Sequence, residues 1–488
     1  MKKRAFLVMA FAFVMVRPHG IAAAESFPPP AGWSEISAGS VHSLAIKQDG
    51  TVWEWGTGDN GTDHPRGSVP ARVEGLTGAV QVAAGSSHSL ALKQDGTVWA
   101  WGGNEGGQLG NGYETELENG SGRTLVDHDQ SVPHQVEGVT DVVSIAADWN
   151  SSFAVRADGT VWAWGAFIGK RPVKLEAYAN VASISMGYAG YIVLKKDGTV
   201  WAPAGRFALE QVEGLRDIVQ IAVGAGNAHA LDSDGTVWAW GINADGEIGD
   251  GTTEPRPKPV RLQTIRDVAA IASSAGGPLY LKKDGTVWTN GDNVGGQLGI
   301  GSYEDRKVPT PIPGLKKIKK IASSGIGFRA LAIRQDNTLW AWGNGYVGDG
   351  TQWYRTTPVW IPGYASERLV KDPVTVEING SPVDFDQQPA IVRDRVMVPL
   401  RKIFEVLEAD MTWDPDTRTV QAAKGDRKIS LTIGSPVAEV DGKPVPLEAP
   451  PVVLNSRTLV PARFIAESLG ADVEWDSVAK TVKISMPS

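Results

Sequence analysis

The chain has 488 residues, 42% hydrophobic and 21% charged, a composition that excludes a wholly disordered polymer. It contains no cysteine, which excludes disulfides, Cys-ligated zinc, iron–sulfur clusters and a thiol nucleophile. Its net charge of −8 opposes phosphate backbones and anionic headgroups, so nucleic acid is not an expected partner.

Residues 1–24 read as a secretory signal. Lys2, Lys3 and Arg4 precede an apolar run from Ala5 to Val16, and Ala22-Ala23-Ala24 offers a cleavage site before Glu25. Cleavage would remove four basic residues and no acidic ones, leaving a more acidic protein. The apolar run is too short to span a bilayer, and no later stretch is long enough. The expected location is secreted or extracellular, with association to the cell wall, and no transmembrane segment after cleavage.

Residues 25–364 are dominated by one repeat, Asp-Gly-Thr-Val-Trp-x-Trp-Gly. Intact copies stand at 49–56, 95–102, 158–165 and 234–241. Worn copies stand at 197–201, where Pro203 replaces the second Trp, and at 284–291, where Asn290 does. The last, 336–343, has Asn337 in place of Gly. Periods of this size mean an array of supersecondary units. The alternation in residues 82–92 predicts one strand, and Asp95-Gly96 predicts a two-residue hairpin turn with positive φ at both positions. The chain then returns through Trp99 and Trp101, which share a face. Twelve of the eighteen tryptophans occupy these two signature positions. Their expected role is core between adjacent sheets, because nothing else in a repeat is large enough to fill that space. A Pro- and Val-bearing stretch follows each hairpin, as in 69–76 and 132–139, and suits an edge strand. Seven such units predict a propeller. An open solenoid would need polar caps, which neither terminal copy supplies.

After a linker at 365–373, residues 374–488 form a different module. Residues 376–422 align without gaps on 438–484, with 18 identities in 47 positions, including Arg401/Arg463, Trp413/Trp475 and Asp414/Asp476. Each half predicts two strands, a short helix at 400–408 or 462–469 with Phe464, Ile465, Ser468 and Leu469 at helical spacing, and a hairpin around Trp-Asp. The fold class is therefore mainly β: a seven-bladed propeller followed by a small α+β domain of two pseudo-repeats.

The repeat, extended by Asn104-Glu105-Gly106-Gly107-Gln108-Leu109-Gly110, resembles that of the regulator of chromosome condensation, whose members form seven-bladed propellers. His42 and His88 keep its His-Ser-Leu-Ala motif, whereas Ser151, Gly190, Asn227 and Gly277 stand at the aligned positions of other copies. Nuclear members of that family catalyse nucleotide exchange on a small GTPase and bind chromatin; export and acidity argue against both here. The C-terminal module resembles the copper amine oxidase N-terminal, or stalk, domain of exported bacterial proteins. The last His in the chain is His229, so this module has neither His nor Cys to hold copper.

No zinc-protease, serine-hydrolase-elbow or phosphate-loop motif is present. The expectation is a non-enzymatic protein with no cofactor and no metal, binding a protein or a cell-wall glycan. His42 and His88 are expected to hydrogen-bond within their blades. The longest spacing between copies, 63 residues, holds an acidic loop at 111–130 with Tyr113, Glu114, Glu116 and Glu118, together with Asp127 and Asp129. Long loops on a rigid scaffold often carry function, and these carboxylates are also the candidate calcium ligands. A second candidate surface is the Gly-rich loop holding Tyr346, Trp353 and Tyr354. A secreted β-lactamase inhibitor protein has a similar propeller, so enzyme inhibition is one alternative. A polysaccharide hydrolase or lyase with carboxylates near the propeller axis is the other.

Overall fold

The computed structural model describes residues 32–488 except 57–66, 118–123, 127, 189, 206–207, 326, 362–373, 386–388, 393–394, 415–418, 433–434, 436, 448–450, 455–456, 477–478 and 487–488. The signal and the 365–373 linker lie outside the described residues. So do Glu118 and Asp127.

Seven four-stranded antiparallel sheets, each continuous in sequence, span 33–72, 79–135, 142–174, 181–211, 218–261, 268–311 and 318–361. We call them blades 1 to 7. The first strands of neighbouring blades touch all the way round, including blade 7 on blade 1, so they line the axis. Seven separate apolar cores fill the seven blade–blade interfaces. The core joining the ends of the ring packs Trp33, Trp53 and Trp55 against Leu331, Ile333 and Leu339.

The same backbone bond recurs at every interface. The carbonyl at the end of each signature turn accepts the N–H that starts the next blade: Gly50 from Ala79 at 3.1 Å, Gly96 from Val142 at 3.2 Å, and so on round to Asn337 from Trp33 at 3.0 Å. The ring therefore closes by repeating its ordinary inter-blade contact, with no strand exchanged between first and last blades. A solenoid has no such terminal contact.

Two local expectations are corrected. Residues 82–92 form two strands, Ala79–Ala84 and His88–Lys93, broken by a turn at 85–87. Each blade thus has four strands where a hairpin plus an edge element would give three. The small polar residues of that turn continue the alternation of the strands, which hides the break. The Asp-Gly turn is also a different type. Gly96 has φ +79°, while Asp95 is not among the residues at positive φ. The Gly96 N–H bonds Lys93 O at 3.0 Å and the Lys93 N–H bonds Thr97 O at 3.0 Å. This is a three-residue loop with one left-handed position. Asn337 takes that position in blade 7 at φ +64°.

Asp95 has another task. Its Oδ1 accepts the Thr97 N–H at 3.0 Å and the Thr97 hydroxyl at 2.6 Å, and Thr97 Oγ1 accepts Trp99 Nε1 at 3.3 Å. Equivalent Asp–Thr–Trp relays hold Trp53, Trp201, Trp288 and Trp340. A Lys or Arg just before the turn lies over the same indole, as Lys47 does over Trp53 at 3.6 Å. In blade 5 Asp232 replaces that cation and itself accepts the Thr236 N–H and Trp238 Nε1.

In the C-terminal module, Arg395–Pro399 pairs antiparallel with Arg457–Pro461, with Val398 directly opposite its counterpart Val460. The two halves thus meet on a local pseudo-twofold. The halves also share sheets: Thr375–Ile378 pairs in parallel with Thr481–Ser485 of the other half. The helices are Leu400–Val406 and Ala462–Ser468, and each is followed by a hairpin. The second helix buries Ala462, Ile465 and Ala466; Phe464 is only half-buried.

Candidate interaction face

Strands alternate in direction, so the connections after the first and third strands of every blade emerge on one face, opposite the Asp-Gly turns. Asn104, Asn243 and Asn293, all buried, organise the loops of blades 2, 5 and 6 on this face. Asn293 Oδ1 accepts the Leu298 N–H at 3.0 Å, and its Nδ2 donates to the Ser302 and Glu304 carbonyls at 2.8 and 3.0 Å. Asn104 and Asn243 repeat this pattern.

The loops also hold the ring together. In blades 1, 3 and 7 the second Trp inserts beneath the loop of the preceding blade. Trp164 Nε1 donates to Gln108 O at 2.8 Å, and Trp55 Nε1 donates to Val347 O at 2.9 Å across the 7–1 junction. Trp55, Trp164 and Trp342 are fully buried. The loop glycines leave room for the ring: a Cβ on Gly110 would lie 2.9 Å from Trp164 Nε1. In blade 6, Asn290 fills the indole's place by donating to the Gly246 and Glu247 carbonyls at 2.8 and 2.9 Å. Trp55, Trp101, Trp164 and Trp342 are thus core, as expected, whereas Trp240 and the first Trp of every blade but the first are half-buried.

His42 and His88 bond across the blade boundary. His42 Nε2 meets Ser89 Oγ at 2.9 Å, and His88 Nε2 meets Ser152 Oγ at 3.0 Å. Arg329, aligned with these histidines, donates to Val41 O at 3.0 Å and so does the same work at the 7–1 junction.

The repeat models match this architecture. Two descriptions of the regulator of chromosome condensation (RCC1) repeat match residues 79–108 and 218–247, and 95–155, 234–278 and 284–325. The copper amine oxidase N-terminal domain matches residues 377–484. The chain carries RCC1 repeats followed by a copper amine oxidase N-terminal domain. Among solved structures, Prp20p from Saccharomyces cerevisiae, described with its binding properties to Gsp1p and histones, is 23% identical with a TM-score of 0.54. That match covers 66% of this chain and 88% of Prp20p. Yeast RCC1 (Prp20), solved with Kap60 bound, is 22% identical over 72% of this chain and 92% of its own, also at 0.54. At these identities the likeness shows the fold alone. No match was found among curated proteins. The copper in the C-terminal domain's family name finds no suitable donor set here, since the domain has neither His nor Cys.

The RCC1-type face holds the candidate residues unequally. Trp353 and Tyr354 are 71% and 54% exposed, while Tyr346 is half-buried at φ +57°. Tyr354 joins Val294, Tyr303, Phe328, Gln297 and Asn344 around an open cleft of about 410 Å³ between blades 6 and 7. Gln297 is buried; its Oε1 accepts the Gly295 N–H at 2.7 Å, while its Nε2 has no hydrogen-bond partner among the described residues. Sequence reasoning missed Val294, Tyr303 and Phe328. The available signal was apolar side chains in loops where strand alternation gives no reason for burial.

Two of the acidic loop's carboxylates, Asp129 and Glu114, have protein partners. Asp129 Oδ1 accepts the Asn104 N–H at 2.8 Å and the Thr115 hydroxyl at 2.6 Å, so it ties down the loop. Glu114 pairs with Lys170 at 2.7 Å. Tyr113 is exposed and stacks on His128 with centroids 4.9 Å apart. Glu116 lies in a two-residue strand paired with Thr124–Val126. No cluster of three candidate metal ligands occurs among the described residues. At the axis, the Gly325 carbonyl accepts the Tyr188 N–H at 3.3 Å, so the blade 7 turn reaches blade 4. The space assigned to axial carboxylates in the hydrolase alternative is crossed there by backbone. In the C-terminal domain, Asp476 pairs with Lys483 at 3.1 Å and Arg463 with Glu467 at 3.8 Å.

Because Trp353 and Tyr354 project from the scaffold, Trp353→Ala and Tyr354→Ala should each change unfolding free energy by no more than about 0.5 kcal/mol. Denaturant titration of the purified variants checks this.

Proposed function

We propose that the chain is an exported, non-catalytic binding protein at or near a bacterial cell envelope. Its propeller loop face engages a macromolecule, a protein or a cell-wall glycan, and the C-terminal domain adds envelope association or spacing. The observation that carries this reading is the blade 6–7 cleft. Three aromatic side chains, Tyr303, Phe328 and Tyr354, line an open cleft whose floor is fixed by the buried Gln297 amide. A rigid aromatic surface with a few placed polar groups suits both sugar rings and polypeptide. Export is supported by the basic, apolar and small-residue order of residues 1–24.

The test is fractionation of the native host followed by N-terminal sequencing. The protein should appear outside the cytoplasm and begin at Glu25. In envelope extracts, wild type should retain a partner that the Tyr303→Ala/Tyr354→Ala double variant releases. A cytosolic protein keeping Met1, or equal retention by both forms, would overturn the reading.

A further inference from the structure

One junction of the ring departs from the repeat in several ways at once, between blades 3 and 4. Blade 3 replaces the Asn-to-Gly loop with the short segment Ala166-Phe167-Ile168. Blade 4 replaces the second Trp with Pro203, which is exposed. Ser151 stands where His42 and His88 stand in blades 1 and 2. Asp148 stands where Gly39, Gly85, Gly187 and Gly224 stand in other blades. Together these changes empty the place that an indole fills elsewhere and put one carboxylate beside it.

The result is a cleft of about 540 Å³, walled by Phe153, Ile168, Leu175, Met186 and Tyr191 and reached by Asp148. That volume suits a small organic molecule. The Tyr191 hydroxyl is held by that of Tyr178, so the wall is fixed. At the rim Phe167 is 94% exposed and sits at φ +63°, a left-handed conformation that costs a bulky residue energy and tends to mark functional sites. Trp149 and Tyr188, both exposed, pack edge to face nearby with centroids 5.6 Å apart.

We propose that this cleft is a second binding site, which takes a small aromatic amine with its ring in the vacated indole place and its ammonium on Asp148. The fold itself supplies the argument for the ring: an indole occupies the equivalent space beneath the loops of blades 2 and 7. Charge supplies the argument for the amine. Asp148 is the one charged side chain lining the cleft among the described residues, and Lys170 on the adjoining strand is already engaged with Glu114. Tyr191, held by Tyr178, is the other titratable group in the wall. Burial raises the Asp148 carboxyl to about 6, against a smaller opposing effect of the Trp149 N–H at 2.8 Å. Amine binding should therefore strengthen about tenfold from pH 5 to pH 7 as Asp148 ionises.

The site is independent of the blade 6–7 cleft, so the two readings fail separately. Isothermal titration of the full chain with tryptamine, and with indole-3-acetate as the anionic counterpart, tests it. Tryptamine should bind wild type with the stated pH dependence, and indole-3-acetate should not. Asp148→Asn should weaken tryptamine about ten- to hundredfold, the loss expected for one charge-assisted hydrogen bond. Pro203→Trp, which refills the place from within, should abolish binding and keep the thermal midpoint. No heat with tryptamine, equal binding of both indoles, or undiminished binding by Asp148→Asn would overturn the proposal, even if Pro203→Trp does not fold.

Discussion

Trp164→Ala should destabilise the propeller by about 3–5 kcal/mol, the cost of emptying a large aromatic site in a packed core. Trp164 is fully buried beneath the blade 2 loop, and its Nε1 bonds Gln108 O. Trp240→Ala should cost clearly less. Trp240 is only half-buried, and the preceding blade 4 has no Asn-to-Gly loop to cover it. Denaturant unfolding of both variants reads the difference. Equal losses would mean that loop-over-tryptophan insertion does not hold the blades together.

The second large effect is expected at His229, in the strand position that Leu44, Leu90, Leu279 and Leu331 occupy in other blades. Its imidazole is fully buried, lies edge-on to Tyr280 at 6.1 Å and makes no well-formed hydrogen bond among the described residues. Burial pushes its pKa down to about 4, offset only in part by the Glu247 backbone. The unfolded chain, at the ordinary value near 6.5, takes up the proton first. Stability is therefore lost as pH falls from about 6.5 to 4, by up to about 3 kcal/mol. Asp148 acts oppositely in the same window, because its raised pKa lets the folded state bind a proton early. The difference between wild type and His229→Leu isolates the His229 contribution. His229→Leu should add about 1–3 kcal/mol at pH 7 by removing unpaired buried polar atoms, and the gain should grow towards pH 4. Denaturation midpoints at pH 7, 5 and 4 check this. A gain that shrinks on acidification would contradict the assignment.

The ring was legible in the sequence because its unit repeats a turn, a β-branched residue and two tryptophans at fixed offsets. The burial of Trp55 and Trp164 followed from size alone. The break at 85–87 was not legible, because Ser86 and Ser87 prolong the strand alternation through a turn. Nor was the task of the Gly-Gln-Leu-Gly loop, since Gln108 and Trp164 lie 56 residues apart and meet only when two blades stack. The cross-blade role of His42 and His88 was hidden for the same reason. At the candidate site, the exposure of Trp353 and Tyr354 could be read from their Gly-rich setting. Phe328 gave less signal, because it sits one residue before a strand and resembles its first apolar position. In the acidic loop the partners of two carboxylates were not legible, because Asp129 meets Asn104 and Thr115, and Glu114 meets Lys170 of the next blade, only in the folded ring.

A partner held by the closed ring should sit on its loop face. Photo-crosslinking in the native host locates it, with a photoreactive amino acid placed at Tyr303, Phe328 or Tyr354 on the loop face and at Gln94, Ala157 or Lys283 beside the opposite turns. A discrete adduct is expected from the first three positions and none from the second three. Adducts from the turn face, or none from either face at full expression, would contradict it.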